Sequence, residues 1–152
     1  MKILSLDPAS TKNCGWALLE NKQVLEVGKY TLGKPNYEIL DEMYSQTRSL
    51  LQKYEPDVLV MEDSIGFGHA PTRKKIAENT GVIKLACLYL HTKYIDINTN
   101  TAAKTMIGSI KRGQKKKKTI EYIEQMFQIK TDEHIADAIL MGLYYAKIHN
   151  DK

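Results

Sequence analysis

Apolar residues fall in short unbroken runs early in the chain and at helical spacing later, and that change of period predicts the architecture. Lys2 to Asp7 is an apolar run ending on an acid, the pattern of a strand buried inside a sheet. Pro8 to Gly15 is rich in Ser, Thr, Asn and Gly and reads as a turn. Two further strands follow at about 15–20 and 23–32, with Glu20-Asn21-Lys22 as the hairpin between them. Residues 36–54 carry Leu40, Met43, Thr47, Leu50, Leu51 and Tyr54 at helical spacing, and Pro35-Asn36 can start that helix. Asp57 to Glu62 is again a short apolar strand closing on an acid. Residues 63–70, with Gly66 and Gly68 around Phe67, form a loop, and Pro71 opens a helix to about His91. Tyr94 to Ile97 is a last strand, 99–107 a short helix, and 108–114 a glycine-flanked basic loop. Helices at about 115–128 and 132–148 finish the pattern, both amphipathic, the second through Ile135, Ala138, Ile139 and Leu143.

A meander, then strands alternating with helices, implies an α/β layer fold with a mixed sheet. Its first and fourth strands, both short and apolar, are expected as central neighbours, which brings Asp7 near Glu62. No repeat or Pro/Ser-rich linker interrupts the 152 residues, so residues 1–152 are expected to form one domain, and 43% apolar with 26% charged residues is the composition of an ordinary globule. No apolar signal-peptide core precedes Asp7, and no window approaches the ~18 apolar residues of a membrane span, so the expected location is the cytoplasm, without membrane contact. Cys14 and Cys87 form no C-x-x-C pair and fit reduced structural thiols.

The net charge is +4, but its distribution is uneven. Lys104, Lys111, Arg112, Lys115, Lys116, Lys117 and Lys118 supply seven positive charges in a stretch with no acid, so the remainder of the chain sums to −3. Lys115 to Lys118 cover every direction around a helix and stand where one begins, a placement that opposes the helix dipole. An arrangement that costs stability points to binding, and a compact basic patch to a polyanion, most commonly nucleic acid. Arg73, Lys74 and Lys75 extend a phosphate track or merely decorate the first turn of their helix.

Candidate chemistry lies in Asp7, Glu62 and Asp137, with His134 one turn before Asp137. His134 and Asp137 stand about 60° apart on a helix and can face one point. Asp132, about 140° from Asp137, and Glu133 are left off that face. Singly, each acid has an ordinary reading as turn, strand-end or helix-start chemistry; together they make a divalent-metal site. Oxygen ligands suit Mg²⁺ or Mn²⁺, and phosphodiester hydrolysis by two ions needs carboxylates that hold them about 3.5–4 Å apart. Asp63, next to Glu62, points the other way by strand alternation.

These residues resemble the RuvC-type Holliday junction resolvases of the RNase H-like superfamily. The resemblance rests on Ile3-Leu4-Ser5-Leu6-Asp7-Pro8-Ala9-Ser10 with Gly15 beyond it, the apolar strand ending in Glu62, the segment Thr99 to Ile120, and the closing His134-Ile135-Ala136-Asp137-Ala138. It implies an RNase H-like five-stranded mixed sheet flanked by helices. It also implies that Asp7, Glu62, His134 and Asp137 form a catalytic site for two Mg²⁺ ions, with Mn²⁺ as a substitute, and that a homodimer nicks four-way DNA. Where this chain has His134 many members have aspartate and others histidine, which leaves ligand and general acid/base as its two possible roles. Lys104 and one lysine of the run, best matched by Lys117, correspond to family lysines that contact DNA near the scissile phosphate. The short, lysine-rich chain is similar to bacteriophage or prophage versions.

Phe67, between two glycines beside the proposed site, either wedges against unpaired bases at a branch point or packs back on its own domain. Val82 to Leu90 is apolar except for Lys84, hydrophobic on more than one side, so the helix 71–91 is the expected dimer interface through Val82, Leu85, Ala86 and Tyr89. Four-way DNA has two-fold symmetry, which a C2 dimer matches. Competing readings are a nuclease for forks, flaps, three-way junctions or RNA–DNA hybrids, a non-catalytic junction-binding module, and a fragment of an actin-like ATPase or sugar kinase. The last normally needs a second domain and a second glycine-rich phosphate loop, which the chain lacks.

Overall fold

The structure, a computed structural model, describes residues 1–8, 13–33, 38–63 and 70–150. The elements in chain order are β1 (Lys2–Pro8), β2 (Asn13–Glu20), β3 (Gln23–Thr31), α1 (Glu38–Tyr54), β4 (Val58–Glu62), α2 (Ala70–Tyr89), β5 (Lys93–Ile97), α3 (Thr99–Ile107), α4 (Lys115–Phe127) and α5 (Glu133–Asn150). The five strands form one sheet in the order β3-β2-β1-β4-β5. β1 pairs antiparallel with β2 and β2 with β3, whereas β1–β4 and β4–β5 are parallel. The first and fourth strands are neighbours, with β1 at the centre, as the apolar runs predict.

Local chemistry explains the boundaries. The β2–β3 hairpin turns on Asn21 and Lys22, both at positive φ (49° and 66°), the backbone a tight two-residue hairpin requires. β2 starts at Asn13, earlier than expected from its apolar residues, because pairing with Pro8 on one side and Thr31 on the other carries the ladder outward. Pro71 lies in the first turn of α2, where its missing N–H costs nothing.

Each face of the sheet has its own core. Leu4 and Leu6 of β1 and Leu59 and Met61 of β4 pack with Met43 and Leu51 of α1 and Ile83, Ala86 and Cys87 of α2. On the opposite face Ile3, Val58 and Val60 pack against α5, which is also covered by Ala102 of α3 and Ile123 of α4. α5 is therefore buried from Ala136 to Ala146 on nearly every side, not the one-sided amphipathic helix its spacing predicts. The pattern misleads because two layers, sheet and helices, cover it. A second correction concerns Ala86, expected on the free face of α2: it is fully buried in the core against the sheet. The free apolar face is made instead by Leu85, Leu88 and Tyr89 (45, 61 and 67% exposed). Lys84, the polar break in that run, donates at 2.7 Å to Asp96 of β5 and ties the helix to the sheet edge. Cys14 and Cys87 are free and buried, and among the described residues no helix is long and apolar enough to cross a membrane.

Candidate active site

Strand alternation sends Ile3, Ser5 and Asp7 of β1, and Val58, Val60 and Glu62 of β4, to the α5 face of the sheet. The parallel register pairs Leu6 with Met61, so one step further Asp7 and Glu62 end side by side at the carboxyl ends of adjacent strands. α5 supplies the rest. Its first turn crosses over Gly15, which pairs with Asp7 in the β1–β2 ladder, and a Cβ on Gly15 would lie 2.3 Å from the carbonyl carbon and oxygen of His134. Only a residue without a side chain lets the helix come this close. The His134 ring thereby reaches Asp7, Nδ1 to Oδ2 at 2.9 Å. Asp132 stands just outside and caps the helix: its Oδ1 accepts the Ile135 N–H at 3.0 Å and its Oδ2 the Lys29 ammonium at 2.8 Å.

Burial pushes the Asp137 carboxyl up to about 7; Lys115 opposes this, and Asp7, Glu62 and Glu133 add to it. Glu62 is also raised, by burial first and then by Asp7. The imidazole of His134 is raised chiefly by its hydrogen bond with Asp7. Oδ1 of Asp137 is buried with no hydrogen-bond partner among the described residues. Three mutually repelling carboxylates, one with an orphaned oxygen, fit a hard divalent cation that would satisfy both deficits. Among the described residues no three such donors already form a tight coordinating cluster.

Two further residues belong to the site. Glu133, expected off the Asp137 face, lies within about 40° of it, because four residues on a helix make slightly more than one turn. In the structure its Oε1 lies 3.6 Å from His134 Nε2 and its Oε2 2.6 Å from Lys116 Nζ. Thr99, the first residue of α3, donates its hydroxyl to Glu62 Oε1 at 2.8 Å and accepts from Lys115 Nζ at 2.7 Å. A threonine at a helix start reads as capping chemistry in sequence, so only the structure could find it.

The basic residues divide by direction. Lys104, Lys111, Arg112 and Lys115 line one surface cavity of about 460 Å³ between α3 and the loop before α4. Two members of the lysine run face the carboxylates, Lys115 through Thr99 and Lys116 through Glu133, with Asp137 and Asp7 also acting on Lys116. Lys117, singled out by the resemblance, is 79% exposed and lies 3.8 Å from Glu121, which also pairs with Lys118 at 3.1 Å. These acids offset the unfavourable placement of lysines at the start of α4. Arg73 and Lys74 are exposed on the first turns of α2, with Lys74 3.8 Å from Glu78. Phe67 lies outside the described residues.

A mixed sheet with an antiparallel meander at one edge and parallel strands at the other, flanked by helices, is an RNase H-like fold. The family model of the crossover junction endodeoxyribonuclease RuvC matches residues 3–145. The RuvC of Campylobacter concisus (strain 13826) is 31% identical over 157 aligned residues, 96% of each chain. That of Campylobacter lari is 29% identical over the same share of both chains. Among solved structures, T. thermophilus RuvC in complex with Holliday junction substrate superposes with a TM-score of 0.80 at 14% identity, covering 97% of this chain and 96% of that one. The chain belongs to the RuvC family of crossover junction endodeoxyribonucleases.

Proposed function

We propose that the protein is a divalent-metal-dependent endonuclease that resolves four-way DNA junctions by paired symmetric nicks, acting as a homodimer in the cytoplasm. The observation that carries this reading is the convergence of Asp7, Glu62 and Asp137 at one end of the sheet, with a buried, unpartnered oxygen on Asp137. In this reading Asp7, Glu62 and Asp137, with His134, hold two Mg²⁺ ions, for which Mn²⁺ can substitute. When bound there, the ions would supply Lewis-acid activation of the attacking water and stabilisation of the leaving oxygen. Asp7 orients the His134 ring through their 2.9 Å contact, which leaves His134 able to bind an ion or move a proton. Lys104, Lys111, Arg112 and Lys115 form the cationic wall along which the phosphate backbone lies, with Lys116 against Glu133 beside it and Lys117, Lys118, Arg73 and Lys74 further out. Phe67, between Gly66 and Gly68 in the sequence just past Glu62, is the residue we propose stacks on bases at the branch point.

The exposed face of Leu85, Leu88 and Tyr89 on α2 supports the dimer. A C2 pair presents two equivalent sites to a two-fold symmetric junction, as two matched nicks require.

The test is to incubate the protein with labelled four-way, three-way and linear DNA, in Mg²⁺, Mn²⁺ or EDTA, beside Asp7→Asn. Symmetric nicks in the four-way substrate that need metal and disappear in the variant are expected. Equal cutting of all substrates would sink junction selectivity, and an active Asp7→Asn enzyme would sink the site assignment.

A further inference from the structure

Thr99 is nearly buried (6% exposed), and its hydroxyl is fully committed. An ammonium only donates, so Lys115 Nζ gives a proton to Thr99 Oγ1 at 2.7 Å, and the hydroxyl's own proton goes to Glu62 Oε1 at 2.8 Å. The helix does not need this hydroxyl. Asn98 caps α3, its Oδ1 accepting the Thr101 N–H at 3.0 Å. The two partners of Thr99 come from unrelated elements: Glu62 ends β4, and Lys115 opens α4 after a loop that bends at Gly108 and Gly113, both at positive φ (96° and 81°). Lys116, Lys117 and Lys118 turn to Glu133 and Glu121. Thr99 thus links Lys115 to Glu62, and its β-branched side chain is stiff enough to hold that link.

We propose that Thr99 is a positioning residue of the nuclease site, its hydroxyl fixing the Lys115 ammonium beside Glu62 so that this cation meets the same phosphate the carboxylates serve. The proposal rests on the nuclease reading above. Lys115 then acts on the reacting phosphate, whereas Lys117 and Lys118, turned to Glu121, act only on general affinity.

Thr99→Val keeps the shape and removes the hydroxyl; Thr99→Ser keeps the hydroxyl. Thr99→Val is expected to lower kcat on four-way DNA roughly 10- to 100-fold, the worth of a hydrogen bond to charged groups. Its junction Kd in EDTA should stay within about twofold of wild type, since phosphate contacts elsewhere dominate affinity. Its thermal midpoint should stay close to wild type, and Thr99→Ser should recover most of the rate. Combining Thr99→Val with Lys115→Met should cost no more than the worse single change, because both break one unit. Additive losses, or a rate loss matched by a fall in thermal midpoint, would overturn the proposal in favour of simple structural support.

A second readout needs no cleavage: limiting acetic anhydride followed by mass spectrometry. Lys115 should label more slowly than Lys117 in wild type and several-fold faster in Thr99→Val. Unchanged labelling defeats the positioning whatever the nuclease assay gives. If instead labelling rises but wild type cuts no DNA, the hold on Lys115 stands and the nuclease reading falls.

Discussion

Gly15 and Asp7 face each other across the first ladder, and the pair shows how one missing side chain builds a site. With a Cβ at Gly15 meeting His134 backbone atoms at 2.3 Å, the first turn of α5 would have to lift. Gly15→Ala should therefore cost roughly 2–3 kcal/mol, an overpacking penalty, and slow nicking as well by drawing His134 off Asp7; chemical denaturation and junction cleavage read the two effects, and a variant of wild-type stability would refute the close approach. Asp137 sets a pH dependence. Its folded value of about 7 lies above the 3.8 of the free group, so its contribution to stability is complete at low pH and lost as pH rises through about 7. His134, also raised, acts in the same direction, its contribution present below 6.5 and lost as pH climbs through its higher folded value. In EDTA, Asp137→Asn should be more stable than wild type by a margin that widens from about pH 5 to 8, while losing nicking; a margin that narrows over that range would contradict the burial argument. Asp7, Glu62, His134 and Asp137 were legible in the sequence because strand ends and helical spacing fix where such side chains point. Thr99 and Glu133 were not, one disguised as a capping residue, the other set aside although it stands one turn from Asp137.

At the level of elements, helix and strand boundaries were readable to within a few residues, but the faces of α2 and α5 were not. A helix covered on two sides and a helix with one uncovered face both read as broadly apolar, and only the packing partners distinguish them. α5 lies between the sheet and α3 and α4. α2 has α1 and the sheet on one side and leaves Leu85, Leu88 and Tyr89 uncovered. Replacing Leu85 and Leu88 with Glu should leave the fold's thermal midpoint little changed and convert the proposed dimer to a monomer by light scattering, with loss of paired nicking. Wild type running as a monomer at micromolar concentration would remove the interface altogether.

Across the whole molecule, charge is arranged so that the carboxylates sit at one end of the sheet and the basic arm closes over them. Sequence made the imbalance visible, seven cations in one stretch against a remainder of −3, but not that Lys115 and Lys116 turn to Thr99 and Glu133 at the site while Lys117 and Lys118 turn to Glu121. Junction affinity in EDTA should fall linearly in log salt, with a slope of about −0.9 for each neutralised phosphate, and Lys111→Ala with Arg112→Ala should flatten it by up to about two such steps. An affinity indifferent to salt would mean that the cavity between α3 and α4 does not hold DNA.

The sheet order has a consequence for when the protein becomes active. β1 stands at the centre, yet its acid is joined by partners from β4 and from α5, which follows every other element in chain order. During synthesis the sheet strands emerge long before α5, and until that helix docks, Asp7 lacks His134 and the site lacks Asp137. A growing chain therefore carries the lysines of α4 before it carries the acid and the imidazole that α5 brings to Asp7 and Glu62.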